Sequence, residues 1–300
     1  MRIGVDLGGT KTEAVALGPG GEILARERVP TRREDYNKIV ADIVSLVGRV
    51  EDAAGGRAAG IGLGIPGSFS PVTGLVRNAS TTVLIGQPFD RDIAQALGRP
   101  VRIENDANCF ALAEARAGAG QGYGVVLGLI LGTGAGAGIV VHDGVHVGPN
   151  RIAGEWGHIP LPDPNDDERP GPECFCGRRG CAETWISGTG LERDHAKVTG
   201  ERARAAEIAA RATQGDAAAL ATLSRHIDRL GRTLAVVVNI LDPDCIVLGG
   251  GLSHLEHLYR DLRGATRPHV FSDCFDTPIL RNQLGDSAGV IGAAWLWPEV

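Results

Sequence analysis

The glycines of this chain are not scattered. Of 44 glycines in 300 residues, three tight groups stand out: Gly8-Gly9, the run from Gly132 to Gly138, and Gly249-Gly250-Gly251. Each follows an apolar β-type run, respectively Ile3-Gly4-Val5, Val125 to Leu131 and Cys245 to Leu248. A strand that ends in glycine is a place where backbone can come close to a ligand. The first two groups also resemble each other over a longer stretch. Ile3 to Thr10 leads into Glu13-Ala14-Val15-Ala16-Leu17 and the turn Gly18-Pro19-Gly20-Gly21, and Gly128 to Gly134 leads into Gly138-Ile139-Val140-Val141 and the turn His142-Asp143-Gly144. Strand, Gly/Thr turn, strand, turn, twice over, implies a duplicated unit and two similar domains facing each other. A length of 300 residues agrees, being more than one compact core usually needs.

The same pattern excludes two other phosphate-binding designs. Gly132-Thr133-Gly134-Ala135-Gly136-Ala137 loosely fits a dinucleotide fingerprint, but that motif opens a helix, and here β-branched residues reach a turn within a few positions. No Gly-Lys-Ser/Thr ending of a P-loop is present. The expected alternative is a pair of β-hairpin turns whose backbone N–H groups cradle the phosphates. Elsewhere, Tyr36 to Val50 spaces Ile39, Ile43, Val44, Leu46, Val47 and Val50 for one helix face. Leu220, Leu223, Ile227, Leu230, Leu234 and Val237 predict an amphipathic helix that ends near Leu241, ahead of Asp242-Pro243. Leu161 to Glu173, with its prolines and acids, reads as a loop, and Ser287 to Leu296 as a short apolar helix packing back on the rest.

Three constellations carry chemistry. Asp6 ends the first strand just before its glycine turn, where an acid can hold Mg²⁺ near the β- and γ-phosphates or simply bond its own turn. Glu104-Asn105-Asp106-Ala107-Asn108 follows the strand Val101-Arg102-Ile103 and precedes a helical run. Asp106 there is either a helix cap or a carboxylate that accepts a hydroxyl proton during phosphoryl transfer, with the neighbouring amides orienting substrate. Cys174, Cys176 and Cys181, half of the six cysteines, fall within eight residues, with Gly177 and Gly180 allowing tight turns. Together with His158 upstream they suit a closed tetrahedral zinc site of structural type. Spacing alone does not single out His158 among the eight histidines.

Charge narrows the partners. Thirty basic against 36 acidic residues leave a net of −6, which gives no reason to expect nucleic acid or an anionic membrane as a partner. No apolar run approaches the roughly 20 residues that span a bilayer, and the amino terminus does not read as a signal peptide. A cytoplasmic protein with reduced thiols is expected.

With these residues assembled, the sequence resembles the ROK family (repressors, open reading frames, kinases) over essentially its whole length. Asp6-Leu7-Gly8-Gly9-Thr10-Lys11 is similar to the family's first phosphate motif, and Leu131-Gly132-Thr133-Gly134 to its second. Asn105-Asp106-Ala107-Asn108 is similar to its catalytic segment, and Val247-Leu248-Gly249-Gly250-Gly251 to its adenosine-side loop. Glu155-x-Gly157-His158 and Cys174-x-Cys176-Gly177-x-x-Gly180-Cys181-x-Glu183 resemble its sugar and zinc region, here lengthened by the acidic, proline-rich insert Asp163 to Glu173. The resemblance implies an α/β, actin-like (ribonuclease H-like) two-domain fold with an interdomain cleft. Expected bounds are 1–118, 119–286 (with a zinc loop at 158–183) and a terminal helix at 287–300 packing on the first domain. It implies Asp106 as general base and Asn105, Glu155, His158 and Glu183 on the sugar hydroxyls. Asp6, Gly8, Gly9, Thr10, Lys11, Gly132, Thr133, Gly134, Gly249 and Gly250 would hold MgATP. His158, Cys174, Cys176 and Cys181 would hold structural zinc, His158 serving both metal and sugar through its two ring nitrogens.

The resemblance also implies a homodimer. Family repressors carry an added DNA-reading domain, and with the phosphate motif at residue 6 none is expected here. Gly64-Ile65-Pro66-Gly67-Ser68, Asn78-Ala79-Ser80-Thr81, Gly86-Gln87-Pro88-Phe89-Asp90 and Gly292-Ala293-Ala294-Trp295-Leu296-Trp297 are most similar to bacterial fructokinases of the mannokinase type. The expected activity is therefore transfer of the γ-phosphoryl group of ATP to the 6-hydroxyl of fructose. N-acetylglucosamine kinase and glucokinase are the neighbouring alternatives, and a non-catalytic sugar sensor the reading from another class.

Overall fold

A computed structural model of the chain describes residues 1–297. In chain order it runs β1 (Arg2–Leu7), β2 (Lys11–Leu17), β3 (Ile23–Pro30), α1 (Tyr36–Ala54), β4 (Ile61–Ile65), β5 (Ser68–Phe69), β6 (Val76–Arg77), α2 (Phe89–Leu97), β7 (Val101–Asn105) and α3 (Asp106–Ala117). It continues through β8 (Val125–Leu131), β9 (Ala135–Val141), β10 (Gly144–Val145), α4 (Glu183–Ile186), α5 (Gly188–Thr199), α6 (Ala205–Thr213), α7 (Ala217–Leu241), β11 (Cys245–Gly249), α8 (Glu256–Thr266), β12 (Ile279–Arg281) and α9 (Ala288–Trp295). Two five-stranded sheets have the orders β3-β2-β1-β4-β7 and β10-β9-β8-β11-β12. Position by position these are the same arrangement. In each, the strand that precedes a glycine turn (β1, β8) pairs in parallel with a later strand (β4, β11), which pairs in parallel with another (β7, β12). The duplication inferred from the glycine turns is therefore a duplication of topology.

The chain divides into two compact units. The first comprises Met1–Gly122, Gly138–Ala153 and the chain from Leu284 onward. Its core joins the inward side chains of β1 (Ile3, Val5, Leu7) and β4 (Ile61, Leu63, Ile65) to the apolar face of α1 (Ile39, Ile43, Leu46, Val47, Val50). Helix α1 starts where Asp35 accepts from the Lys38 N–H, and it stops at Gly55, whose φ of 73° suits glycine. On the same sheet α9 packs against β1, β4 and α3. Glycines allow that approach: a Cβ on Gly4 would stand 2.6 Å from the Ala294 nitrogen, and one on Gly62 would run into the Ala293 carbonyl. Of the expected terminal segment 287–300, residues 298–300 lie outside the described residues.

The second unit comprises Tyr123–Ala137 and Gly154–Gln283. Its long helix α7 begins where Asp216 accepts from two backbone N–H groups, Ala218 and Ala219, and ends at Asp242, φ 45°, just before Pro243. Helices α4, α5, α6 and α8 pack around it. Residues 138–153, which the sequence reading places in the second domain, pack in the first unit instead. The reason is steric and local: Gly138 lies against the Ala107 carbonyl and the Ala111 methyl with no room for a side chain, and β10 packs on α3. Among the described residues, no helix is long and apolar enough to cross a membrane.

Candidate active site

The first unit gathers one half of the expected residues. Strand β1 carries Asp6 to its end, and the chain then turns at Gly8, whose N–H donates to the Lys11 carbonyl at 3.0 Å. A Cβ on Gly8 would crowd that carbonyl at 2.8 Å, whereas Gly9 has open space around it. Thr31 clamps the turn from β3's end, its hydroxyl donating to the Gly8 carbonyl at 2.8 Å and its N–H to Thr10 at 3.0 Å. Lys11 Nζ stands 3.9 Å from Asp286. Burial pushes the Asp6 carboxyl up to about 7, and the negative charges of Asp106 and Glu13 push the same way. A site that raises an acid this far is suited to a cation that restores its charge.

Asp106 opens α3, and the cap is its neighbour: Asn105 Oδ1 accepts from the Ala107 N–H at 2.9 Å. The Asn105 amide nitrogen donates to the Gly67 carbonyl at 3.3 Å, which turns this strand end toward the Gly67 loop. Glu104 accepts from the Asn105 N–H and from Asn108 Nδ2. Asp106 Oδ1 accepts from the same Ala107 N–H at 2.8 Å, so Asn105 and Asp106 share the start of α3, Asp106 from the helix's first turn.

The second unit gathers the rest. Its glycine turn closes with Gly132 N–H on the Gly134 carbonyl at 2.9 Å. The Gly132 carbonyl accepts from Gly188 N–H at 2.7 Å, and the Thr133 carbonyl from the Thr189 hydroxyl at 2.7 Å. Glu183, the first residue of α4, accepts from Ala135 N–H at 2.9 Å, and a Cβ on Gly134 would meet the same carboxylate at 2.5 Å. Gly250, φ 76°, lies against Leu131, where a Cβ would stand 2.6 Å from the carbonyl. The loop after β11 and the turn after β8 are therefore packed backbone to backbone.

The three cysteines come together with His158, the histidine that the family resemblance implies. One ligand atom each from His158, Cys174, Cys176 and Cys181 lies within 4.8 Å of the others. Cys174 Sγ is 3.5 Å from His158 Nδ1, and Cys176 Sγ is 3.5 Å from Cys181 Sγ. Tetrahedral Zn–S and Zn–N bonds would set ligand atoms roughly 3.5–3.8 Å apart, so the donor set and its spacing fit zinc. The hydrogen bond from Arg178 holds the Cys176 thiol down at about 6, toward the thiolate a metal requires, whereas burial pushes the Cys174 and Cys181 thiols up. Nδ1 of His158 faces the sulfurs and Nε2 faces Glu155, 3.9 Å away. The ring thus presents one nitrogen to the sulfurs and the other to Glu155.

The ROK family profile matches residues 2–300. The chain belongs to the ROK family. It is 39% identical over 305 residues to an N-acetyl-D-glucosamine kinase of Haemophilus influenzae, covering 99% of both chains. It is 38% identical over 300 residues to one from Yersinia enterocolitica, again covering 99% of each. In structure it is similar to a ROK hexokinase from Thermus thermophilus, with a TM-score of 0.87 at 34% identity, covering 98% of this chain and 96% of that one. A ROK glucokinase from Streptomyces griseus, in complex with glucose and AMPPNP, matches with a TM-score of 0.79 at 32% identity over 98% of both chains. The fold is accordingly the actin-like ATPase fold. The fructokinase type expected from the sequence finds no support in these relatives.

Two features of this ROK chain escape a reading of its sequence. Ser187-Gly188-Thr189-Gly190 is a fourth glycine cluster, and it supports the second turn through Gly188 and Thr189. Its signal was present, but it follows a short helix and not a strand. Gly289 in α9 lies beside Asp6, where a Cβ would stand 3.0 Å from the carboxylate. Nothing in the sequence places residue 289 next to residue 6.

Proposed function

We propose that this chain is an ATP-dependent hexose kinase that phosphorylates the 6-hydroxyl of N-acetyl-D-glucosamine, with Asp106 as general base. The observation that carries the reading is Glu183. An acid expected on the sugar is hydrogen-bonded to the backbone of the second glycine turn at Ala135. A phosphate turn and a sugar-binding carboxylate are thus one construction, which a phosphatase or simple ATPase would not need. The substrate is supported by the relatives, N-acetyl-D-glucosamine kinases 38–39% identical over nearly all of this chain.

In this reading Asn105, Glu155, His158 and Glu183 bind and orient the sugar hydroxyls. The turns at Gly8-Gly9-Thr10-Lys11 and Gly132-Thr133-Gly134 cradle the phosphates through backbone N–H groups, and Gly249-Gly250 borders the adenosine. Asp106 takes the proton of the attacking hydroxyl as it meets the γ-phosphate in line. Asp6 would hold the Mg²⁺ that accompanies ATP, whose chemistry is neutralisation of phosphate charge. His158, Cys174, Cys176 and Cys181 would hold a structural zinc, which supplies a fixed cross-link and activates no water.

The test is ADP release by the purified protein with MgATP, compared across N-acetyl-D-glucosamine, fructose, mannose and glucose. The highest kcat/KM is expected with N-acetyl-D-glucosamine. A preference for fructose would keep the mechanism and return the substrate to the one its sequence motifs suggest. No sugar-dependent ADP from folded, zinc-loaded protein would sink the kinase reading.

A further inference from the structure

Helix α7 turns His226, Arg229 and Arg232 inward, and all three are buried. A spacing of three residues sets them in a row along one face. Toward the proline-rich loop, Arg229 Nε donates to Glu168 at 2.7 Å, and Arg232 donates to both Glu168 oxygens at 3.0 Å. Arg232 also donates to the carbonyls of Pro162 and Asp163. Toward α4 and α5, His226 Nε2 donates to the Ile186 carbonyl at 2.9 Å. The Arg229 guanidinium lies 4.5 Å from the centre of the Trp185 ring and donates to Asp194 at 2.8 Å. Burial raises the Glu168 carboxyl, but the bonds from Arg229, the Asn165 backbone and Arg232 outweigh it and hold the group below the usual carboxylate range.

Both segments gripped by this row lead into the site. The loop carrying Pro162, Asp163 and Glu168 joins His158 to Cys174, and it is laced to the ligand segment by Leu161 N–H on Gly180 and Gly180 N–H on Pro172, each 2.9 Å. Helix α4 begins with Glu183 and carries Trp185 two residues later. A buried ion network returns little net stability over apolar packing, but a guanidinium fork accepts few geometries.

We propose that Glu168 and Arg229 are positioning residues, which hold the metal-ligand loop and Glu183 in register with each other by fastening both to α7. The insertion between His158 and Cys174 is then a brace and not an ornament. The claim rests on the kinase reading only where it concerns sugar.

The test uses Glu168→Gln, which keeps the shape and removes the charge, and Arg229→Lys, which keeps the charge and removes the fork. Thermal unfolding establishes that each variant folds. Loss of outer partners of a metal site typically costs about 10–100-fold in affinity or activity, so the KM for N-acetyl-D-glucosamine should rise by about that factor with kcat little changed. Tryptic cleavage of the native protein at Arg178 and Arg179, in the ligand loop, should become faster. Should Glu168→Gln not fold, Glu168→Asp keeps the charge, shortens the reach and is measured in its place. Folded variants with wild-type KM and wild-type cleavage would overturn the proposal, since a purely stabilising network moves only the unfolding midpoint. Wild-type protein lacking sugar-dependent turnover would sink the kinase reading alone, and the cleavage comparison would still decide this one.

Discussion

At the scale of single residues, Asp106 and His226 carry the sharpest expectations. Asn105 is the N-cap of α3, and an asparagine at 106 keeps an oxygen that can accept from the Ala107 N–H, so Asp106→Asn should leave the helix start intact and remove only the base. Turnover should fall by about 10²–10⁴, the usual contribution of a general base, with sugar affinity largely kept. Equal kcat in the two proteins would end that role for Asp106. His226 is a matter of stability. Its Nε2 donates to a carbonyl, so its Nδ1 is the proton-free nitrogen, and that atom is buried without a partner. Burial lowers the imidazole from 6.5 to about 4; the bond to Ile186 opposes this, while His257 and Arg229 add to the lowering. The unfolded chain therefore binds a proton between about pH 6.5 and 4 that the folded chain refuses. Stability contributed by neutral His226 is whole above about pH 6.5 and is lost as the pH falls toward 4. One pKa unit is worth about 1.4 kcal/mol, so about 2 kcal/mol should go between pH 7.5 and 5. His226→Gln, whose amide can still donate to Ile186, should flatten that dependence in urea titrations at the two pH values. Identical slopes with pH would show that the proton is taken up elsewhere. The polar row to which His226 belongs was hidden in the sequence by the leucine face it sits beside. Its partners Glu168 and Asp194 are 61 and 35 residues from Arg229, beyond any local pattern.

Among elements, the legible ones were those whose periodicity or punctuation is local. Helix α1 begins at Tyr36 and α7 ends at Leu241, both as expected, because a capping or helix-breaking residue marks each point. Strand β3 was not foreseen: its edge position leaves Arg26, Glu27 and Arg28 among its residues, and no apolar run announces it. The position of α9 was legible only as a guess about packing, since what determines it is glycine on three distant segments. Gly4, Gly62 and Gly292 each meet backbone: α9 itself for the first two, Cys109 of α3 for the last. The expectation at this scale is a contrast between two glycine-to-alanine changes. Gly62→Ala drives a methyl into the Ala293 carbonyl, where neither strand nor helix can yield, and should cost at least about 1–3 kcal/mol. Gly48→Ala, inside α1 with open space around it, should stabilise by about 0.5–1 kcal/mol, because only helix propensity changes. Thermal midpoints should therefore move in opposite directions. A shared direction would mean that α9 is not seated on β4 as described.

For the whole molecule, duplication explains both what the sequence revealed and how function is apportioned. In each of two sheets of the same strand order the central strand runs into a glycine turn, and the expected residues divide between two compact units. Asp6, Asn105 and Asp106 belong to the first; Glu155, Glu183 and the cysteine cluster belong to the second. What the sequence could not reveal is the path between them, because the chain passes from one unit to the other inside β9, a continuous strand with no linker composition. The division predicts a bounded response to metal removal. Hydrogen exchange should be compared in zinc-loaded protein and in protein stripped by a chelator. Protection should be lost across 155–183 and extend to the glycine turn at 132–135, because Glu183 bonds Ala135. It should be kept in β1, β4 and α9, which carry none of the four zinc-site residues. Sugar-dependent turnover should disappear in the same sample and return with added zinc. Protection lost throughout the chain would mean that the metal supports global folding, and protection lost nowhere would mean that the loop stands without it. Either result would break the link drawn here between the cysteine cluster and the placement of Glu183.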